Sequence, residues 1–175
     1  MKAITLHQPF ASFIPWGFKG PETRSWPCPP ALIGKRLAIH AAGSLPGYAK
    51  ELCFTEPFSS VLGLHLRENQ AGDFYLSEVL KRLPLGCVIA TCIVDRCVRT
   101  EDVRVVSRDY TDTPLLWVTE MEYAFGDYRP GRWAWVLRDI VPLPKPVPTR
   151  GFQRIWNWTV PADVQDWLTT QEESR

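Results

Sequence analysis

The sequence predicts an α+β fold in which a mixed β-barrel is flanked by short helices. Sixteen prolines and eleven glycines in 175 residues favour strands, turns and short helices over a long helical bundle. Several short segments either alternate between polar and apolar residues or are continuously apolar, as strands are. A length of 175 residues, 45% of them hydrophobic, is enough for one domain with its own core. We therefore expect a single domain over residues 1–175, with residues 159–175 as its C-terminal extension.

The first forty residues contain two predicted strands and one short helix. Residues 2–7 are predicted as a strand, and Pro9 is suited to open a helix over residues 9–14 because a first-turn proline loses no helical hydrogen bond. Residues 35–40 alternate, with apolar side chains on one face and His40 at the end of the polar face. This alternation predicts a half-buried strand.

The rest of the chain combines two strong strand signals with weaker patterns. Residues 86–95 form a continuous apolar run rich in branched side chains, which predicts a strand buried on both faces. Residues 132–137 predict another strand, with Trp133 and Trp135 on one face. The other predicted segments are helices over 48–54 and 73–83, a loop over 98–114, a helix over 115–122, a turn over 123–131, a proline-rich connection over 142–148 and a helix over 162–168.

The most informative run places Lys19, Glu22 and Arg24 within six residues, beside a glycine and a proline. If the chain is extended from Glu22, then Glu22, Arg24 and Trp26 share one face, with Lys19 in the turn before them. Guanidinium groups bind carboxylates or phosphates, and flat aromatic rings stack on flat rings. The pattern fits either an ion-pair cluster on the surface of a strand or a small site for an anion or a nucleobase.

Charge and hydropathy narrow the classes of function. The formal net charge of +1 argues against a protein that coats duplex DNA, so nucleic-acid binding would need a local basic patch. No segment is long and apolar enough to span a bilayer, and the N-terminus lacks the apolar stretch of a signal peptide. We expect a cytoplasmic protein with no membrane partner.

The cysteines and glycines suggest no cofactor. Five cysteines without a CxxC pair fit neither a zinc site nor a disulfide framework, so we expect reduced thiols. No Gly-rich phosphate loop opens a long helix, and no His and Cys cluster has the spacing of a metal site. Cys28, two residues past Trp26, is the one thiol placed to face the same site as the Lys19 run.

The run Gly17-x-Lys19-x-x-Glu22-x-Arg24 resembles the GxKxxExR signature of the ASCH-domain family, a branch of the PUA-like superfamily. The resemblance extends from about Lys2 to Trp158. It implies a PUA-like pseudobarrel with a ligand cleft, usually assigned to RNA-related work, whose floor carries the signature lysine, glutamate and arginine. The other segments that agree, in the family's order, are residues 8–11, 22–26, 39–42, 83–86 and 125–135.

The resemblance makes these three residues candidate catalytic groups. Lys19 and Arg24 would attract a phosphate, while Glu22 would accept from an exocyclic amine or orient Lys19. Trp26 or Tyr128 would stack on a base. The remaining candidates are His40 as a catalytic group and Gln8, Asp127 and Arg132 as ligand-binding groups.

Three functions are compatible with such a cleft. An RNA- or nucleotide-binding module needs only the cleft, its basic residues and its aromatic rings. A metal-independent ribonuclease would use Lys19 and Arg24 to stabilise a phosphorane, with His40, Glu22 or Tyr128 transferring protons. The third function is an amidohydrolase acting on a modified nucleoside such as an acylated cytidine, as in small bacterial relatives of the family.

One departure from the family's pattern counts against the amidohydrolase. In those small relatives a threonine, proposed as the nucleophile, occupies the third position after the signature lysine, where this chain has Glu22. Thr23 is adjacent but points to the opposite face of the strand. The predicted partners are therefore single-stranded RNA or a short nucleic acid, or else a nucleotide or nucleoside. As surface changes in a cleft, Lys19→Ala and Glu22→Ala are expected to leave folding intact.

Overall fold

The computed structural model describes residues 1–66, 78, 80–106 and 114–173. A curled, mixed six-stranded sheet forms the body of the molecule, and a separate two-stranded parallel ribbon lies beside it. The sheet contains β1 (Lys2–Leu6), β2 (Pro21–Arg24), β3 (Arg36–Ala41), β4 (Cys87–Arg99), β7 (Trp133–Pro148) and β8 (Ile155–Asn157), and the ribbon contains β5 (Val103–Val105) and β6 (Leu116–Val118). The helices among the described residues are α1 (Phe10–Phe13), α2 (Gly47–Leu52), α3 (Phe58–Leu66), α4 (Glu120–Ala124) and α5 (Ala162–Glu173). The predicted class, a mixed barrel-like α+β fold with short helices, is confirmed.

The curl of the sheet brings its two ends together. The strand order is β2-β7-β4-β3-β1-β8, with β1 and β3 parallel and the other neighbours antiparallel. Strand β8 pairs with residues 2–4 only, so the end of β1 extends beyond it. There the Thr5 carbonyl accepts a hydrogen bond of 3.1 Å from Nη2 of Arg24 on β2. Arg24 therefore joins one edge of the sheet to the strand beside the other edge.

Both faces of the central strands are covered. Ile39 and Trp135 belong to the core on one face, whereas Ala38 packs on the other face with Trp156 and with Leu168 of α5. The prediction of a half-buried strand over 35–40 is wrong for this reason, since α5 covers the face expected to meet solvent. The same coverage buries the end of β3.

Strands β4 and β7 are both longer than predicted. Strand β4 has 13 residues and continues four residues past the predicted end at residue 95. Strand β7 has 16 residues, so the predicted proline-rich connection over 142–148 is wrong. Beyond residue 136, β7 no longer pairs with β2, and prolines are tolerated because that edge of the strand needs no N–H donors.

The ribbon and α4 correct two further expectations. The predicted loop over 98–114 contains β5, and the predicted helix over 115–122 begins as β6. Helix α4 starts only at Glu120, because Thr119 and Glu122 form a capping box. The predicted helices at 48–54 and 162–168 are confirmed as α2 and α5, whereas α3 was not predicted. The predicted helix over 73–83 lies mostly outside the described residues.

None of the helices that the structure describes is both long enough and apolar enough to cross a membrane.

Candidate functional site

A cleft of about 1170 Å³ lies where the two ends of the sheet meet. Its walls come from β1, β2, β3, α2, α3, the turn after α4 and the segment between β7 and β8. Six of the predicted site residues line the cleft, namely Lys19, Glu22, Arg24, His40, Asp127 and Arg132. Three others, Gln8, Trp26 and Tyr128, do not.

The floor of the cleft is a buried triad of charged side chains. Nζ of Lys19 lies 3.3 Å from Oε2 of Glu22, and Nε of Arg24 lies 3.1 Å from Oε1 of the same carboxylate. Nζ of Lys19 also donates a 2.8 Å hydrogen bond to the Pro21 carbonyl. Only 1% of Lys19 and 8% of Glu22 is exposed, so the expectation that these are surface positions is wrong. Glu22 sits opposite Trp135 on β7, which places the triad on the barrel's interior side.

Burial has a chemical consequence for Lys19. Removal of the ammonium group from water lowers the pKa of Lys19, although the neighbouring Glu22 carboxylate acts in the opposite direction. Proteins use buried lysines for proton transfer because burial disfavours the charged form. The floor thus offers a lysine amine, a carboxylate and a guanidinium to a ligand.

The loop that carries Lys19 is fixed from both sides. The Lys19 amide donates to the Phe13 carbonyl at the end of α1, at 3.1 Å. The Gly20 amide donates to Oε1 of Glu122, also at 3.1 Å. A Cβ added at Gly20 would lie 3.0 Å from that carboxylate oxygen, so a side chain at this position would crowd the contact. Glu122, which sequence reasoning did not identify, therefore anchors the floor to α4.

His40 lines the cleft but is held by the backbone around it. Its Nε2 donates to the Thr149 carbonyl at 3.1 Å, which leaves Nδ1 unprotonated, buried and without a hydrogen-bond partner among the described residues. Gly151 covers the ring, since a Cβ there would lie 2.5 Å from Nδ1. Burial lowers the pKa of His40, with the bond to Thr149 opposing the shift. In this arrangement neither ring nitrogen is open to a substrate.

Asp127 and Arg132 form one end of the cleft. The Asp127 amide donates to Oγ1 of Thr23 at 2.8 Å, and Nε of Arg132 donates to the Asp127 carbonyl at 3.1 Å. Hydrogen bonds from Arg129 hold the pKa of the Asp127 carboxyl at about 2. Thr23, although on the opposite face of β2 from Glu22, also lines the cleft.

The predicted stacking groups lie elsewhere. Trp26 packs edge-on against Trp135, with ring centroids 4.8 Å apart. Tyr128 is stacked on Tyr123 at 4.8 Å, and its buried hydroxyl has no partner among the described residues. Neither ring is available to a base in the cleft.

The surroundings of Gln8 and Cys28 fit a structural role for both residues. Gln8 is fully buried, and its amide donates to the Pro84 carbonyl at 2.8 Å while its oxygen accepts from the Ser12 amide. Cys28 packs in the core and burial raises the pKa of its thiol to about 12, which does not suit a nucleophile. All five cysteines are free thiols.

Two exposed aromatic rings that were not predicted from the sequence also line the cleft. Tyr48 on α2 is 55% exposed and Phe152 is 52% exposed. Arg150 and Arg154 line the same side as Phe152. The only sequence signal was the pair of arginines around Gly151 and Phe152, and nothing in that pattern places it beside Lys19.

Among the described residues there is no group of three or more His, Cys, Asp or Glu side chains that could hold a metal ion.

No protein-family model and no curated protein matches the chain. Solved structures do match it over nearly its whole length. The crystal structure of ASCH from Zymomonas mobilis is 18% identical with a TM-score of 0.45, and the match covers 97% of this chain and 93% of that one. Two mutant forms of that protein match with 19% identity and the same TM-score, covering 94% and 96% of their chains. The domain named for these structures is the one that the signature in the sequence predicts.

Proposed function

We propose that the cleft binds a nucleotide of single-stranded RNA or of another short nucleic acid. One juxtaposition carries the proposal, namely the exposed rings of Tyr48 and Phe152 in the same cleft as a buried, charged floor. Single-stranded nucleic acids are bound by stacking of bases on aromatic side chains together with polar contacts to base edges and phosphates. Tyr48 and Phe152 take the stacking role that the sequence assigned to Trp26 and Tyr128.

The floor supplies the polar groups for a base edge. Lys19 has three N–H donors, and its contacts to Pro21 and Glu22 use two of them. Glu22 keeps acceptor capacity beyond its contacts with Lys19 and Arg24, because a carboxylate has about four lone-pair sites. Donor and acceptor groups held side by side match the mixed donor and acceptor edge of a nucleobase.

The geometry supports binding more than ribonuclease chemistry. A metal-independent ribonuclease needs groups that carry protons to and from the sugar and the leaving oxygen. Both nitrogens of His40 are covered or engaged, the Tyr128 hydroxyl lies outside the cleft, and Glu22, the third candidate, is held between Lys19 and Arg24. We therefore place binding first.

An amidohydrolase acting on a modified nucleoside is the second candidate, and one observation favours it. Lys19 and Glu22 are buried side by side, with Nζ 3.3 Å from Oε2, and we propose that this pair takes the proton from an attacking water. Release of acetate from an acylated cytidine by the wild type but not by Lys19→Met would support this alternative.

Binding is tested by fluorescence anisotropy with end-labelled single-stranded RNA in the presence of a chelator. We expect the wild type to bind and Lys19→Met, which keeps most of the side-chain volume, to lose binding. Lys81→Met is the matched control, because Lys81 is exposed and its ion-pair partner among the described residues is Glu78. Equal affinity of wild type and Lys19→Met, or no binding by the wild type, would overturn the proposal, and a parallel denaturing gel reports any cleavage.

A further inference from the structure

The segment between β7 and β8 presents two arginines without acidic partners. Arg150 and Arg154 are exposed and line the cleft, and neither forms an ion pair among the described residues. The other two arginines that line the cleft have carboxylate partners, Glu22 for Arg24 and Asp127 for Arg132, although Lys19 shares Glu22 and Arg129 shares Asp127. Arg150 and Arg154 are therefore the cleft-lining arginines that have no carboxylate partner among the described residues.

The backbone of this segment is fixed by contacts with β3 and β4 and with the segments that adjoin them. The Thr149 amide donates to the Gly86 carbonyl at 2.9 Å, and the Thr149 carbonyl accepts from His40 at 3.1 Å. Gly151 lies so close to the His40 ring that a Cβ would not fit. Phe152 packs edge-on against Trp156, with ring centroids 5.6 Å apart. A fixed backbone presents the arginines to a ligand without a cost of ordering the loop.

The conformation of Arg154 is unusual for its residue type. Its φ of 57° lies in the left-handed region, which a long side chain rarely adopts. Residues in such conformations cluster at ligand-binding and active sites. Here the residue lines the cleft and has no carboxylate partner among the described residues.

The position of the two arginines relative to the floor follows from the contacts around Thr5. The Thr5 carbonyl accepts from Arg24 of the floor, and the Thr5 hydroxyl accepts from Nε1 of Trp156 at 3.1 Å. A Cβ at Gly151 would lie 3.0 Å from the same hydroxyl. The segment that carries the arginines is thus adjacent to the floor.

We propose that Arg150 and Arg154 form a phosphate-binding subsite beside the floor, so that the cleft selects phosphate-bearing nucleotides over nucleosides. Guanidinium groups bind phosphate through paired N–H donors, and an arginine without an acidic partner gives up no ion pair in doing so. Phe152 lies between them in sequence, and Arg150 already lies over its ring, with the guanidinium carbon 5.5 Å from the ring centroid. A base stacked on this side of the cleft would have its phosphate within reach of both arginines. The inference rests on the proposed binding of a nucleotide in the cleft.

The test is the salt dependence of binding to labelled single-stranded RNA, combined with competition by unlabelled mononucleotides and their nucleosides. The proteins are the wild type, the double variant Arg150→Ala with Arg154→Ala, and a matched double variant, Arg96→Ala with Arg138→Ala. Arg96 and Arg138 are also exposed but both pair with Asp95 outside the cleft.

We expect the Arg150 and Arg154 variant to lose roughly tenfold in affinity and its logarithmic salt slope to fall by about 1.4, about 0.7 for each lost phosphate contact on a single strand. We expect nucleoside monophosphates to compete with RNA for the wild type better than nucleosides do, and this preference to disappear in the variant. The Arg96 and Arg138 variant should behave as the wild type.

Two contrary results are distinguishable. If the wild type binds RNA but the Arg150 and Arg154 variant keeps the same affinity, slope and competition, the phosphate subsite is wrong and binding in the cleft stands. If the wild type binds no RNA at all, the proposed function and the subsite both fall.

Discussion

The floor of the cleft and its mouth, the exposed side that carries Arg150 and Arg154, both hold positively charged side chains. The two sets differ in burial and in ion pairing. In the floor, Lys19, Glu22 and Arg24 are largely buried and bonded to one another. At the mouth, Arg150 and Arg154 are exposed and lack acidic partners among the described residues. The charges of the floor contribute to the fold, because they satisfy each other and join the two ends of the sheet. The charges of the mouth contribute little to the fold and are open to a ligand.

This contrast separates two kinds of variant. Changes in the floor should affect stability and binding together, and changes at the mouth should affect binding alone. The expected effects on the free energy of unfolding decrease in the order Glu22, Lys19, Arg24 and His40.

Glu22→Ala should have the largest effect on stability. It removes the carboxylate between two cations and leaves the buried Lys19 without its acidic partner, so we expect a loss of about 3–5 kcal/mol in the free energy of unfolding. Urea denaturation measures it. Asp95→Ala, which removes the shared partner of the exposed Arg96 and Arg138, should cost less than about 1 kcal/mol. A similar loss in both variants would mean that the floor is no more important to the fold than a surface ion pair.

Lys19→Ala and Lys19→Met should differ from each other. Both remove the ammonium group, but alanine also leaves a cavity around a side chain that is only 1% exposed. We expect Lys19→Ala to unfold about 2 kcal/mol more easily than Lys19→Met, as for truncation of a buried methionine. Urea denaturation of the two variants decides this. Equal stabilities would contradict the burial of the Lys19 stem.

Arg24→Lys should remove the hydrogen bond from Arg24 to the Thr5 carbonyl, which joins the two ends of the sheet. Lysine keeps the charge near Glu22 but cannot also reach the Thr5 carbonyl in the geometry of the guanidinium fork. We expect a loss of about 1.5 kcal/mol in the free energy of unfolding, the scale of one hydrogen bond to a charged group. Arg138→Lys, at an exposed pair, is the control and should change little. If both substitutions have the same effect, the hydrogen bond between Arg24 and Thr5 contributes nothing to the stability of the fold.

His40 should produce a small pH dependence of stability. Because burial lowers the pKa of His40 in the fold, the unfolded chain takes up a proton first as the pH falls through the ordinary histidine pKa of 6.5. The folded state is therefore expected to lose stability as the pH falls below about 7, and His40→Gln should flatten that part of the profile. Identical profiles for wild type and His40→Gln would contradict the assignment.

The sequence predicted the floor because its signals are local. Lys19, Glu22 and Arg24 lie within six residues, and the alternation of side chains along a strand places Glu22 and Arg24 on the same face. The continuous apolar run of β4 was likewise sufficient to predict a strand buried on both faces over most of its length.

The parts that the sequence could not predict depend on tertiary packing. His40 is at the polar end of an alternating segment, and Trp156 of β8 and the segment around Gly151 bury it. Phe152 and Arg150 line the cleft because the sheet curls until β8 lies near β2. No local sequence pattern predicts this curl. Trp26 was a plausible stacking residue until its position against Trp135 was known.

The most direct test of the account is the location of bound RNA on the protein, measured as backbone amide shifts by NMR during titration with a short single-stranded oligonucleotide. We predict the largest changes at Lys19, Arg24, Gly126 and Gly151, which line the cleft. Little change is predicted at Arg36 and Glu172, which pair on the far side of the sheet. Large changes at Arg36 and Glu172 with none around the cleft would contradict the account.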